Sequence, residues 1–286
     1  MNDLKERLLA LRSASVNDQM TGLTRLLSQE SRPNFSVEEL SGYKSLVEGI
    51  LQSDEIRAKD KISFGESLNS WGDPRIDFPN QETYWKPVDI GSCTLLVGRF
   101  LVTTSEWRAF LSDGYDNPEN WSQAGLEWKE SDRPSWRVLA AAEESKKYVY
   151  DNQPVVGICW YEAAAYAKAN LARLMSFYER ELIIRGSEKR PYPWGSPFGK
   201  GNSNTQEEQL QKPSAVGLYH RDRTPDGVYD LAGNVGEWTE DEVDNKRVIH
   251  PGSWNINQMG AWVKASRNYS AAARTADVGF RLVRDI

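Results

Sequence analysis

The sequence contains few of the residues from which metal centres and disulfide frameworks are built. It has two cysteines and two histidines among 286 residues. Cys93 and Cys159 lie far apart and each has apolar neighbours, which predicts buried free thiols rather than a metal site. His220 and His250 are too distant in sequence to form the paired-histidine motif of a helical metalloprotease site.

Long apolar runs and net positive charge are also missing. No stretch approaches the roughly eighteen consecutive apolar residues that a transmembrane helix needs, and the charged N-terminal segment does not resemble a secretory signal. We therefore expect a cytoplasmic protein without membrane contact. The net charge of −6 and the pI near 5.2 argue against a general nucleic-acid-binding protein.

Tryptophan, in contrast, is abundant, with eleven in the chain. Its indole ring combines a large apolar area with one N–H donor, so exposed tryptophans often contact ligands or partners. The alternative is that most of them fill the core of a domain with little regular structure. Both alternatives stay open for individual tryptophans at this point.

The hydrophobic pattern divides the chain into three parts. Residues 1–54 predict a small helical bundle, in which Ser36 and Glu39 form a capping box. Residues 55–85 have turn-rich composition and predict an irregular segment that packs on the main domain. Residues 86–286 form the main domain. The bundle is either an oligomerisation or partner-binding module or a structural extension.

The main domain predicts a mixture of short elements. Strands are expected within residues 88–102 and at 154–160. Helices are expected at 106–111, capped by Thr104 or Ser105, at 138–150, at 161–169 and at 177–185. Residues 113–137 and most of the chain after residue 186 predict loops, which is an unusual amount of irregular structure for one domain.

Seven segments, in order, resemble the formylglycine-generating-enzyme, or sulfatase-modifying-factor, family. The resemblance covers about residues 86–285 and implies an α+β fold of the C-type lectin type. The segments are Gly98–Thr103, Gln153–Tyr166, Arg185-Gly186 with Pro191–Gly195, Asn204-Thr205 with Ala215–Gly217, Tyr229–Trp238, Gly252–Trp254 and Gly279–Arg281.

The resemblance also implies that known catalytic groups of this family are missing. Its copper enzymes hold the metal with two cysteines after the Gly-Ser-aromatic motif, and the matching positions here are Ile256 and Ala261. Copper(I) needs soft thiolate ligands, and no cysteine follows Cys159. The related iron-dependent sulfoxide synthases use a histidine cluster, which two scattered histidines cannot supply. We therefore expect no catalytic cofactor and no enzymatic activity.

Family members also hold structural calcium, which takes six to eight oxygen ligands. The positions that match the family's calcium ligands are Asn234 with Glu237, and Asn204 with Glu207. The alternative from the residues themselves is that Asn234 stabilises its own turn while Glu237 accepts backbone N–H bonds.

The same fold serves as a binding scaffold in the variable proteins of diversity-generating retroelements. There the segment between the Gly-Ser-Trp and Gly-Phe-Arg motifs carries the ligand-binding surface. We name residues 255–277 the surface segment, and expect it to bind a protein or peptide ligand. Whether this chain is itself such a variable protein stays an open hypothesis. The candidate binding residues are Asn255, Asn257, Trp262, Arg267, Asn268, Tyr269, Arg274 and Asp277.

Two other functions are alternatives to ligand binding. The first is an accessory subunit of a bacterial signalling or defence assembly, joined through the N-terminal helices. The second is an enzyme with altered chemistry that uses acids such as Asp230, Glu237 or Asp277, although no pairing of acid, base and nucleophile is visible in the sequence.

Overall fold

The N-terminal part forms a helical layer, as the apolar pattern predicts. The computed structural model describes residues 2–131 and 136–286. Its first helices are α1 (Asn2–Leu11), α2 (Val16–Gln29) and α3 (Val37–Gln52). The capping box of Ser36 and Glu39 is present, so the predicted start of α3 is confirmed.

The helical layer continues beyond residue 54, into the segment that was expected to be irregular. Helix α4 (Ala58–Ser67) lies there, and that part of the prediction is wrong. Phe64, Leu68 and Trp71 are buried in one cluster with apolar residues of α2 and α3. The core of the helical layer therefore includes residues up to Trp71. The turn-rich composition after residue 70 hides this continuation in the sequence.

Two small sheets organise the main domain. The first has the order β1-β2-β8-β3 and is antiparallel throughout. The second has the order β6-β5-β4-β7, in which β4 and β7 are parallel. The strands are β1 (Trp85–Asp89), β2 (Thr94–Gly98), β3 (Arg173–Leu174), β4 (Gly236–Val243), β5 (Lys246–His250), β6 (Arg267–Tyr269), β7 (Val278–Gly279) and β8 (Leu282–Asp285).

Within the described ranges, six α-helices accompany these sheets. They are α5 (Thr104–Asp113), α6 (Gln123–Glu130), α7 (Trp136–Ala141), α8 (Trp160–Ala169), α9 (Phe177–Arg185) and α10 (Gln258–Ala261). The cap of α5 is Thr103, which forms a capping box with Glu106, rather than Thr104 or Ser105. Helix α6 lies in the predicted loop 113–137, and residues 132–135 of that loop lie outside the described ranges.

The predicted strand 154–160 is the clearest error in the secondary structure. The N–H of Val155 donates to Val102, whereas the N–H of Gly157 donates to Thr275, far along the chain. Gly157 has a φ of 71°, in the left-handed region. The segment is therefore a buried connection whose backbone N–H groups donate to two different parts of the chain. It does not form the continuous row of hydrogen bonds with one partner that a β-strand requires.

The largest core cluster lies between the sheets and helices α5 and α8. Trp107, Tyr166 and Phe280 are almost fully buried there, and the rings of Tyr166 and Phe280 meet edge to face at 5.4 Å. Phe280 is thus a core residue. The predicted burial of both thiols is half wrong: Cys159 is buried, but Cys93 is exposed in the turn between β1 and β2.

The helical layer contacts the main domain through polar side chains and through Ile62, which packs on a small apolar cluster around Leu218. Glu48 accepts a 2.8 Å bond from Arg99, and Glu66 pairs with Lys212. The side-chain amide of Asn152 donates to the carbonyl of Gly65 at 2.8 Å. The mixture of helices and sheets is the α+β arrangement that the sequence predicts. No helix within the described ranges is long and apolar enough to cross a membrane.

Candidate functional site

The two motifs that flank the surface segment are buried anchors. Ser253 and Arg281 are at most 1% exposed. Gly252 is required by close backbone contact, because a Cβ at this position would lie 2.4 Å from the carbonyl oxygen of Ala232. His250 fixes both sides of the turn: its Nδ1 accepts from the N–H of Gly252, and its Nε2 lies 3.0 Å from the carbonyl oxygen of Trp262. Burial lowers the pKa of His250 well below its usual value, so the ring is neutral.

Glu237 lies at the centre of a buried ionic network. One of its oxygens accepts a 3.1 Å bond from Arg180, and the other accepts a 3.1 Å bond from Arg281. Arg281 also donates to the carbonyl oxygens of Tyr229 and Gly98. A carboxylate between two guanidinium groups is compensated in charge, and a calcium ion beside it would meet two cations. The Oδ1 of Asn234 accepts a 2.9 Å bond from the N–H of Ser214, so Asn234 and Glu237 do not fit a calcium site.

Asp222 is a central residue that the sequence did not single out. Its carboxylate accepts bonds from the backbone N–H groups of Leu231, Ala232 and Gly233, and from the hydroxyl of Ser203 at 2.6 Å. Burial raises the pKa of Asp222 to about 6. The side chain thus holds the glycine turn of the Tyr229–Trp238 motif, and only the tertiary structure reveals its distance from that turn.

Asp230 occupies the same buried region and is not available as a catalytic acid. It is 1% exposed and has a φ of 57°. One oxygen accepts a 2.7 Å bond from the N–H of Gly217. Burial, and then the nearby charge of Asp222, raise the pKa of Asp230 to about 7. Neither Asp230 nor Glu237 reaches the surface, and both serve to hold the turns.

The candidate binding residues differ in exposure. Asn255, Asn257, Trp262, Arg267 and Asn268 are exposed, and 43% of Trp262 is accessible to solvent. Of these, Asn257 caps α10 by accepting a bond from the N–H of Met259. The strand β6 carries Arg267 and Asn268 at the free edge of the second sheet.

The other three candidates have structural partners. Tyr269 is half-buried against the ring of Trp238. Arg274 donates two bonds, of 3.0 and 2.6 Å, to the buried carboxylate of Glu162, and its guanidinium lies over the ring of Trp128. Asp277 is half-buried, 3.5 Å from the hydroxyl of Ser253.

A polar cleft of about 880 Å³ opens beside the start of the surface segment. Trp254 forms one wall and stacks on Tyr148, with ring centroids 5.8 Å apart; it is half-buried rather than a core residue. We name this the amide cleft, because side-chain amides form much of its lining. The lining residues are Lys147, Tyr148, Gln206, Gln209, Gln211, Trp254 and Asn255.

Asn204 and Glu207 have oxygens that fit a cation better than those of Asn234 and Glu237. The Oδ1 of Asn204 and the Oε2 of Glu207 are buried and accept no hydrogen bond. The other oxygen of Glu207 accepts from the N–H of Gln258 at 2.8 Å, at the start of α10. Within the described ranges, no cluster of three or more His, Cys, Asp or Glu side chains could hold a metal ion. Amide and backbone oxygens would therefore have to supply further ligands.

Comparison with known proteins agrees with this architecture. The family model of the sulfatase-modifying factor enzyme 1-like domain matches residues 79–286. Hercynine oxygenase of Mycobacterium tuberculosis is 31% identical over 158 residues, which is 50% of this chain and 36% of that protein. The inactive C-alpha-formylglycine-generating enzyme 2 of Bos taurus is 29% identical over 178 residues, which is 56% of this chain and 59% of that protein. The chain thus spans less than two thirds of either relative.

One solved structure shows the same fold. PvdO from Pseudomonas aeruginosa aligns with a TM-score of 0.50 at 21% identity, covering 68% of this chain and 81% of that one. The Treponema denticola variable protein 1 aligns with a TM-score of 0.48 at 19% identity, covering 68% and 85%. Because the family model matches most of the chain, in the part where both sheets lie, this chain belongs to the sulfatase-modifying factor enzyme 1-like domain family.

Proposed function

We propose that this chain is a non-catalytic binding protein that takes an extended peptide segment in the amide cleft and on the adjoining surface segment. The observation that carries the proposal is the contrast in burial between the surface segment and its flanks. Ser253 and Phe280 are fully buried, while Asn255, Trp262 and Asn268 between them are exposed. A rigid scaffold that presents exposed aromatic and amide groups is typical of a protein-binding surface.

The lining of the amide cleft suits a peptide backbone. Side-chain amides of glutamine and asparagine both donate and accept hydrogen bonds, as peptide groups do. Gln206, Gln209, Gln211 and Asn255 line the cleft together with the stacked rings of Tyr148 and Trp254. The rings offer an apolar surface to the side chains of the peptide. A carboxylate of the ligand has Lys147 available at the rim of the cleft.

The residues at the family's copper positions support a non-catalytic role. Ile256 and Ala261 have no thiolate, and Ala261 is 1% exposed. The bovine relative whose name calls it inactive is consistent with this, whereas the similarity to hercynine oxygenase makes a direct assay of activity necessary.

A displayed library of random peptides, selected on the intact chain, tests the proposal. We expect selected peptides to bind the wild type and to lose at least about tenfold in affinity for Asn255→Ala/Trp262→Ala, since exposed aromatic residues often dominate such interfaces. Tyr178→Ala is the matched control, because Tyr178 is 66% exposed on α9. Unchanged affinity of the double variant would exclude this surface. Turnover of a cysteine-containing peptide with copper(I) would exclude the non-catalytic role.

We also propose that the surface segment is diversified, as in variable proteins of retroelements. The support is the position of the segment between the Gly-Ser-Trp and Gly-Phe-Arg motifs, where those proteins carry their binding surface; the segment is not notably rich in asparagine. Sequencing of the gene from many cells of one culture tests this. Substitutions confined to adenines in the codons of residues 255–277 are the expected result, and an invariant segment would contradict it.

Structural calcium is proposed at Asn204 and Glu207, whose unpaired oxygens are hard ligands of the type that calcium prefers. Bound calcium would join the loop of residues 204–207 to the start of α10 and so stiffen one side of the amide cleft. We expect calcium to raise the melting temperature of the EGTA-treated wild type, and expect Glu207→Gln to remove the response. Glu188→Gln, at an exposed carboxylate, is the control. A wild-type melting temperature that does not respond to calcium would refute the site.

A further inference from the structure

A second cavity lies between the helical layer and the main domain, away from the surface segment. Its volume is about 290 Å³, which is at the lower end of the range for small-molecule sites. The connection from α3 to α4 forms one side, and two loops of the main domain form the other. The lining residues are Asp54, Ile56, Arg57, Ala58, Lys61, Lys200, Gly201, Asn202, Leu218, Tyr219, His220 and Arg221.

The lining carries more positive than negative charge, although the whole chain has a net charge of −6. Arg57, Lys61, Lys200 and Arg221 each bring a positive charge, while Asp54 is the one acid of the lining. Arg57 is offset by its pairing with Asp60 outside the cavity. Excess charge of one sign in a concave site favours binding of the opposite sign.

Lys61 is the buried member of this group, with 4% of its area exposed. Its Nζ lies 3.3 Å from the Nδ1 of His220, and the Nε2 of His220 lies 3.1 Å from an oxygen of Asp54. Since an ammonium group can only donate, Nδ1 accepts and the N–H on Nε2 points to Asp54. Lys61 therefore keeps donors that His220 does not use.

Two of these cations, Lys61 and Lys200, have no carboxylate partner among the described residues, so their positive charge is not compensated by an ion pair. Within the described ranges, no carboxylate lies within ion-pairing distance of Lys61 or Lys200, and Asp54 pairs with Arg221 at 3.2 Å as well as with His220. Glu208 approaches the edge of the cavity, where it accepts a bond from the N–H of Gly201. Burial lowers the pKa of Lys61, as expected of an ammonium group that lacks a direct carboxylate partner.

The N-terminus of α4 opens into the same cavity. Ile56, Arg57 and Ala58 line it, and no side chain caps the first turn of this ten-residue helix. The first N–H groups of a helix and its dipole attract anions. This adds to the buried ammonium of Lys61, which is an independent feature of a different side chain.

We propose that this cavity binds the phosphate group of a small phosphorylated molecule, between Lys61, Lys200, Arg221 and the first turn of α4. A dianion matches the excess of positive charge better than a single carboxylate does. The guanidinium of Arg221 and the two ammonium groups are the donors that proteins use for phosphate. Asp54 occupies the rim and competes for the same cations. The ligand would join the helical layer to the main domain.

Titration calorimetry of the full chain at constant ionic strength tests this, with inorganic phosphate, glycerol 3-phosphate and acetate as probes. We expect saturable binding of at least one phosphate compound and much weaker binding of acetate. Binding of inorganic phosphate alone would identify the free ion as ligand, and tighter binding of glycerol 3-phosphate would identify a phosphomonoester. Equal binding of acetate, or no binding of either phosphate compound, would overturn the proposal.

The variants below should change the affinity for phosphate in opposite directions, which a purely structural role of these residues would not produce. Arg221→Ala, at an exposed side chain, should weaken phosphate binding about tenfold, as should Lys61→Met. Asp54→Asn should strengthen it several-fold, because it removes the competing carboxylate. Lys59→Ala is the matched control, since Lys59 is exposed on the same helix and does not line the cavity. If Arg221→Ala and Asp54→Asn both leave the affinity unchanged, phosphate does not bind in this cavity.

Discussion

Single side chains hold the irregular part of this molecule together. Glu237 pairs with Arg180 from α9 and with Arg281 near the end of the chain, and all three side chains are at most 2% exposed. Removing one partner of such a group leaves buried charge uncompensated, which is far more costly than losing an exposed pair. The stability of the Tyr229–Trp238 motif therefore depends on contacts with distant parts of the chain.

Glu237→Gln should lower the free energy of unfolding by about 3–5 kcal/mol, because two buried guanidinium groups lose their counter-charge. Glu240→Gln is the matched control in the same strand: Glu240 is exposed and lies 3.8 Å from Arg173, so its loss should cost less than about 1 kcal/mol. Urea denaturation measures both variants. Equal effects would show that Glu237 is not the centre of the network.

The residue types at this site could be predicted from the sequence, but their partners could not. The motif around Asn234 and Glu237 was identified, and an acid there predicted either a ligand or a hydrogen-bond acceptor. The arginine partners of Glu237 lie 57 and 44 positions away. The sequence around Asp222 contains no motif that predicts its role. That role depends on the folded chain placing the backbone of Leu231–Gly233 against its carboxylate.

Among the elements, the helical layer shows that local sequence determines where helices begin, whereas long-range packing determines how their core is completed. The caps at Ser15 and Ser36 fix where α2 and α3 begin, and such caps are visible in a sequence. The closing residues of the core come later in the chain. Trp71 donates its indole N–H to the carbonyl oxygen of Glu30 at 2.8 Å and meets the ring of Tyr43 edge to face.

Trp71→Ala should destabilise the protein by about 3–5 kcal/mol, since it leaves a large cavity and an unpaired carbonyl oxygen in the helical layer. Trp262→Ala, which removes an exposed tryptophan, serves as the control and should change stability by less than about 1 kcal/mol. Thermal unfolding followed by circular dichroism measures the difference. A comparable loss in both variants would contradict the structural role of Trp71.

Helices were predicted better than strands for a physical reason. A helix satisfies its own backbone bonds, so α8 and α9 follow from alanine content, apolar spacing and a cap. The strands of this domain are two to eight residues long and depend on partners from distant parts of the chain. Residues 154–160 have the composition of a strand, yet their N–H groups find acceptors on two different neighbours.

Across the whole molecule, buried carboxyl groups link stability to pH. Burial raises the pKa of Asp222 to about 6, and the pKa values of Asp230 and Glu106 to about 7. These values lie above those of the unfolded chain, so the folded state binds more protons between about pH 4 and pH 7. The contribution of these groups to stability is therefore greatest at low pH and is lost as the pH rises through that interval.

Asp230→Asn should remove part of this dependence. Asparagine tolerates the left-handed backbone at this position and keeps an acceptor for the N–H of Gly217. We expect the variant to be more stable than the wild type by about 1–2 kcal/mol at pH 8 and to differ little at pH 4. Urea denaturation at several pH values provides the measurement, with the exposed Asp226→Asn as control. Parallel curves for the variant and the wild type would refute the assignment.

The order of strands in the first sheet has a consequence for synthesis. Strand β8 lies between β2 and β3, so one of the two internal strands of this sheet is the last of its four strands to be synthesised. Arg281 and Phe280 also arrive only then. The helical layer is built from contacts within residues 8–71 and can form while the rest is being translated, because local contacts close quickly. A newly made chain can therefore carry a formed helical layer while the first sheet still lacks strand β8.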